Sequence, residues 1–172
     1  INNKVINWKN YLIIASSFYP PGESFLVSKA NTAKKIFKGN QEFDALYRQI
    51  FLGQEKVNKA ALFSRNGLEY FNNSDFENAA REFEKALALN PLDYAYFENA
   101  ATSNYMIRNF DKALNQINKV INLLNPGNGK CEYIKALIFI RLGDPVGACP
   151  LLETSISSGF TQSNKLLEQY CR

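Results

Sequence analysis

Residues 60–93 read AALFSRNGLEYFNNSDFENAAREFEKALALNPLD, and this stretch decides the fold. Phe63, Gly67 and Tyr70 stand at i, i+4 and i+7, one face of a helix. Ala79, Phe83 and Ala86 repeat that spacing on a second helix. Gly67, Ala79 and Ala86 let two backbones approach closely. Phe63, Tyr70 and Phe83 are expected to fill the volume between them. Asn72-Asn73-Ser74-Asp75 is the turn, where Ser74 or Asp75 can cap the second helix. Pro91 cannot continue that helix and closes the unit.

This order of small and large residues over one such unit resembles the tetratricopeptide repeat (TPR). Phe63 stands where that family usually has Trp. Gly67, Tyr70, Ala79, Phe83, Ala86 and Pro91 occupy its other signature places, and Asn66 departs from the usual apolar residue. One period downstream, residues 94–127 place Phe97, Ala100, Ala101, Ala113, Ile117 and Val120 at the matching positions. There Asn109-Phe110-Asp111 is the turn, Asn104 replaces the usual Tyr, and Pro126 lies one residue late. Residues 128–160 give a third unit, with Ala136, Phe139, Gly143-Asp144, Ala148, Leu152 and Ser155. Pro150 is awkward inside a helix, so the regular helix is expected to begin there, after an irregular turn from Asp144. Residues 161–172 carry Leu166, Leu167 and Tyr170 on one face and resemble the solvating helix that caps such arrays. The resemblance implies an all-α, right-handed solenoid of antiparallel helical hairpins with a C-terminal capping helix.

The N-terminal third is less regular. Residues 1–23 form an end segment, with Trp8, Tyr11, Leu12, Ala15 and Tyr19 on one side if helical. Tyr11 to Ile14 also permit a strand. The segment is either a cap or the second helix of a unit whose first half is missing. Residues 24–58 read as a degenerate TPR-like hairpin. Its first helix is expected to turn Phe25, Ala30, Ala33 and Phe37 inward, and its second Phe43, Leu46, Tyr47 and Ile50, with Gly39-Asn40 between them.

Composition narrows the function. The chain has 172 residues, 46% apolar, which excludes wholesale disorder, and contains no run of eighteen apolar residues. It begins at Ile1 rather than Met, which suggests a processed or truncated piece. The net charge of +4 is spread along the chain; Lys34, Lys35 and Lys38 are its densest cluster and read as a solvated helix face, not a nucleic-acid site. There is no His, which removes the commonest general base and metal ligand. No CxxC spacing and no phosphate loop occur; Gly127-Asn128-Gly129 joins two repeats. The reading is non-enzymatic, with no cofactor and no metal.

What remains is binding to another protein or peptide. In the TPR family the first helix of each repeat lines a concave groove. Carried across, those positions are Arg65, Leu68, Phe71 and Asn72, then Glu98, Asn99, Thr102, Tyr105 and Met106, then Lys130, Tyr133, Ile134, Leu137 and Arg141. Tyr133 and Leu137 could equally stack on a neighbouring element. The family's clamp for a C-terminal carboxylate uses Lys, Asn and Arg; Asn99 and Lys130 fit it, but Ser64, Leu68 and Ile134 do not. The alternatives are a structural segment of a larger envelope or secretion assembly, and a regulatory domain attached to sequence before Ile1.

Three cysteines complete the reading. A hairpin with equal arms brings Cys149 and Cys171 level, which allows either a disulfide or two buried thiols. The ending, with Leu142, Gly143, Asp144, Ala148, Cys149, Gly159, Tyr170 and Cys171, is similar to that of exported bacterial cell-envelope TPR proteins. That resemblance implies the disulfide, and with it a periplasmic or envelope-associated location rather than a cytoplasmic one. Cys131 is left over and reads as a small buried hydrophobe.

Overall fold

The computed structural model describes residues 2–124 and 126–171, and for residues 2–6 the backbone alone. Ile1, Asn125 and Arg172 lie outside that description, including the last residue of the capping stretch. Every regular element among the described residues is helical. No helix among them is long and apolar enough to cross a membrane. The all-α architecture of helical hairpins is therefore the one observed. The chain forms two compact units, Ile1–Leu62 with Ala88–Asn90, and Phe63–Leu87 with Pro91–Arg172.

The first unit holds α1 (Asn2–Ser16), α2 (Ser24–Ile36), α3 (Gln41–Leu52) and the start of α4 (Gln54–Asn72). The end segment is thus a helix, not a strand. It buries Leu12 and Ala15, whereas Tyr11 and Tyr19 are partly exposed. Lys9 of α1 pairs with Glu42 of α3 at 2.8 Å, which holds that carboxyl below its ordinary range. In α2 the inward residues are Leu26, Ala30 and Ala33, followed by Phe37. Phe25 was expected inward but is exposed. The stripe that keeps the i, i+4, i+7 spacing starts at Leu26, one residue later. Asn40 caps α3, its side chain accepting from the Phe43 N–H at 2.9 Å. Phe43, Leu46, Tyr47 and Ile50 are all buried, as their spacing predicts. Lys34 lies over the Tyr47 ring at 4.1 Å, so part of the basic cluster packs on an aromatic face.

The second unit holds the rest of α4, then α5 (Phe76–Leu89) as far as Leu87, α6 (Tyr94–Met106), α7 (Phe110–Lys119), a π-turn (Val120–Leu124), α8 (Lys130–Arg141), α9 (Pro145–Ser157) and α10 (Ser163–Tyr170). Acidic caps start several of these helices. Asp75, not Ser74, caps α5 by accepting from the Asn78 N–H at 3.2 Å; Ser74 turns the chain at φ 62°. Asp93 caps α6 through the Ala95 N–H at 3.1 Å.

Gly67 and Phe83 show why small faces large in this hairpin. The Phe83 ring is fully buried, and a Cβ at Gly67 would meet its Cε1 at 2.8 Å. Burying such a ring contributes about 1.5–3 kcal/mol, provided the facing helix yields the space. Tyr70 does not share that interior. It is 40% exposed, a correction to the expected filling role. In the next hairpin Ala101, Ala113, Ile117 and Val120 are buried together. Asn104, at the usual Tyr place, is also buried. Its amide donates to the Ala100 carbonyl at 2.9 Å and to Gln116 Oε1 at 3.1 Å, so a polar pair joins α6 to α7.

Two irregularities have physical causes. The late Pro126 lies beyond a π-turn over Val120–Leu124, a wider turn that takes up extra chain length at the end of α7. Pro150 lies inside α9, contrary to the expected start there. The helix begins earlier because Asp144 accepts from the Gly147 N–H at 2.8 Å and Pro145 occupies the first turn, where proline is favoured. Downstream, Ser155 locks three segments. Its hydroxyl donates to the Gly129 carbonyl at 2.6 Å and lies 2.7 Å from the Ser163 hydroxyl. Leu166 and Leu167 of α10 then pack on Ala136, Ala148 and Leu152, while Tyr170 stays partly exposed.

Candidate partner-binding groove

All the sequence-predicted groove residues fall in the second unit, on α4, α6 and α8. The structure divides them into packed and presented groups. On α4, Arg65 and Asn72 are exposed. Phe71 is half-buried. It meets Phe76 edge-on at 5.1 Å and packs against the cluster of Ala79, Phe83 and Ala100. The tight turn after Asn72 folds α5 back so that the two rings close on each other. Leu68 is 45% exposed, where a clamp would place a polar residue.

On α6, Glu98 is buried, although its position reads as part of the groove. It meets Lys130 Nζ at 3.1 Å, accepts from Asn128 Nδ2 at 3.3 Å and lies 3.5 Å from the Cys131 sulfur. A buried carboxylate requires such partners. Lys130 pairs with Glu98 while its own side chain stays 37% exposed. Cys131 is buried beside them, and burial, then the Glu98 charge, pushes its thiol far above the ordinary range. Asn99 is half-buried and its carbonyl accepts from the Ser103 hydroxyl at 2.9 Å.

On α8, Ile134 is buried in the core of Ala101, Ile117 and Val120. Tyr133 is half-buried, with its ring 5.1 Å from Phe160. That stacking is the alternative its aromatic character left open. Burial raises its phenol, with Tyr105 adding to the effect.

Tyr105, Met106 and Arg141 are brought together. Arg141 Nε donates to the Tyr105 hydroxyl at 3.1 Å, and this bond raises the guanidinium's already high pKa. Tyr105, Met106, Arg108, Phe110 and Arg141 line one cleft of about 340 Å³. Phe110 supports the Tyr105 ring at 5.9 Å. Met106 is 45% exposed. Arg108 and Phe110 were missed because the sequence reads there as a mere connection. The available signal was Arg108-Asn109 next to an aromatic. Arg108 sits at φ 61°, uncommon for a residue with a side chain, and ends α6 before α7 begins. The cleft thus offers two guanidinium groups, one hydroxyl and an apolar floor. It contains no nucleophile and base pair.

The sulfurs of Cys149 and Cys171 are within bonding distance, and their Cα atoms are 5.7 Å apart. That separation lies within the range a disulfide requires.

No family model matches the sequence. The chain is 35% identical over 77 residues to the Hsp70-Hsp90 organising protein of Plasmodium falciparum, a match covering 44% of this chain and 13% of that one. It is 28% identical over 102 residues to the tetratricopeptide repeat and J domain-containing co-chaperone DNJ1 of Cryptococcus neoformans, covering 59% and 19%. The matches thus span less than a fifth of these relatives' length. Among solved structures, the TPR2B domain of yeast Sti1 in complex with pHsp70 superposes with a TM-score of 0.60 at 21% identity, covering 69% of this chain and 98% of that one. The longer TPR2AB domain of Sti1, in complex with pHSP90, gives 0.61 at 20% identity and covers 95% of this chain and 62% of that one. The shared geometry and the repeat signature of residues 60–93 lead to one conclusion: the chain has the fold of a tetratricopeptide-repeat protein.

Proposed function

We propose that the chain is a non-catalytic protein-interaction module that takes a peptide or partner protein along the first helices of its repeats. The observation that carries this is the cleft in which Tyr105, Met106 and Arg141 converge with Arg108 and Phe110. Exposed aromatic, Met and Arg side chains are the residue types enriched where proteins bind proteins. The named relatives support the reading, since one organises Hsp70 and Hsp90 and one is a co-chaperone. A clamp for a terminal carboxylate does not form part of it. Ser64, Leu68 and Ile134 stand at its places, and Lys130 is tied to Glu98. Arg65, Asn72 and Asn99 belong to the proposed surface; Phe71, Lys130 and Tyr133 support it from behind.

The test compares pull-downs of the bound partner by Tyr105→Ala and Arg141→Ala with those by Arg81→Ala and Glu153→Ala on second helices. Each groove substitution is expected to cost roughly 2 kcal/mol of binding. Normal binding by both groove variants, with loss in the others, would favour the structural-segment reading.

The setting we propose is an oxidising one, the bacterial periplasm or cell envelope. It rests on the placing of Cys149 against Cys171 and on the resemblance of the chain's ending. Non-reducing peptide mapping of native material should find these two joined and Cys131 free. Three free thiols would move the proposal to a cytoplasmic setting.

A further inference from the structure

We propose that the Tyr105–Arg141 cleft selects acidic peptides, seating an Asp or Glu carboxylate between Arg108 and Arg141 with a neighbouring apolar side chain on Met106 and Phe110. The proposal deepens the interaction reading and rests on it. Three observations carry it. First, no carboxylate lines the cleft, and neither arginine is ion-paired with one among the described residues. Elsewhere in this unit Lys85, Lys112 and Lys130 are each paired with a carboxylate. Second, Arg141 is oriented before any ligand arrives. Its Nε is held by the Tyr105 hydroxyl at 3.1 Å, which leaves both terminal amino groups of the fork as donors. A carboxylate accepts such a fork through two oxygens, so the held geometry favours that anion over a neutral amide. Third, the floor is apolar and partly exposed: Met106 is 45% exposed and Phe110 half-buried, beside two positive groups. A free acid would need only the arginines; a peptide uses both surfaces. A cleft of about 340 Å³ accommodates side chains and not a folded domain.

This places Tyr105 as a positioning residue acting through Arg141. Removing its hydroxyl should weaken anion binding while leaving the ring on Phe110.

The test is fluorescence anisotropy with a short labelled peptide of alternating Glu and Leu, and its Gln-for-Glu analogue. The Glu peptide should bind saturably, and the Gln analogue at least about tenfold more weakly. Arg108→Gln and Arg141→Gln should each weaken the Glu peptide about tenfold, with Tyr105→Phe giving a smaller loss. Lys165→Gln, which removes an exposed charge on α10, should leave binding unchanged. Circular dichroism of each variant establishes that helicity is retained. Equal binding of the two peptides, or unchanged binding by both arginine variants, would overturn the proposal. So would an oligothymidylate of equal charge that displaces the peptide and is itself lost in the arginine variants, since the site would then read nucleic acid. If the Glu peptide fails but Tyr105→Ala still loses the pulled-down partner, the ligand chemistry is wrong and the interaction reading stands. If the pull-down is also unchanged, both fall.

Discussion

At the scale of single residues, Gly67 is the most constrained position of the decisive repeat. Alanine there would gain about 1 kcal/mol in helix propensity. Its Cβ would also sit 2.8 Å from the Phe83 ring, in a hairpin with no slack. Overpacking typically costs about 1–3 kcal/mol, so a net loss of stability in urea unfolding is expected. The double variant Gly67→Ala with Phe83→Leu should recover part of it. Cys131 gives a second expectation. Its thiol is pushed up in the folded state by burial and by Glu98. The unfolded chain therefore loses that proton first as pH rises, and folding stability should fall above roughly pH 8.5, by up to about 1.4 kcal/mol per pH unit. Cys131→Ala should flatten that alkaline decline in a pH series of denaturation midpoints. The place of Gly67 was legible in the sequence because a residue without a side chain is what leaves room for a large ring on the facing helix. Glu98 was not. Helical spacing puts it on the face of Asn99 and Thr102, and only the three-dimensional approach of Asn128, Lys130 and Cys131 shows it to be buried.

At the scale of elements, spacing located the helices well and their irregular ends poorly. α3 was legible to its buried residues, since Phe43, Leu46, Tyr47 and Ile50 fit one face, whereas Asn40 read only as a stop after α2 and not as the cap it is. The π-turn after α7 left only the displaced Pro126 as its trace. Pro150 misled because proline usually breaks helices, whereas capping by Asp144 and the start at Pro145 fix α9 upstream of it. Proline at that place forgoes the bond to the carbonyl four residues before, that of Val146. Pro150→Ala should therefore stabilise the protein by about 1–3 kcal/mol, measured by chemical denaturation. A loss of stability would mean that the proline sets a bend the packing requires. For α10, reduction of the proposed Cys149–Cys171 bond should cost on the order of 3 kcal/mol. Amide exchange would show it as faster protection loss over Ser163–Tyr170 before other helices respond.

At the scale of the whole molecule, the helices of the second unit pack chiefly on their neighbours in sequence, α6 on α7, α7 on α8, α8 on α9 and α9 on α10, as expected of repeat proteins. Unfolding should accordingly be non-uniform. Within the first unit α1 should exchange earliest, because its described side chains bury only Leu12 and Ala15. The fold was legible because a repeat states its pattern more than once. The site was less so, because presentation depends on which first-helix residues the neighbouring helix covers. Tyr105 and Arg141 remain available, while Tyr133 is taken by Phe160 and Lys130 by Glu98. The proposed partner-binding face is formed by the first helices of the repeats, and backbone amide chemical-shift mapping on titration with the captured partner locates it. The largest changes are expected at Asn99, Tyr105, Met106 and Arg108 and at the end of α8 around Arg141. Changes confined to α5, α7 and α9, with those residues unmoved, would contradict it.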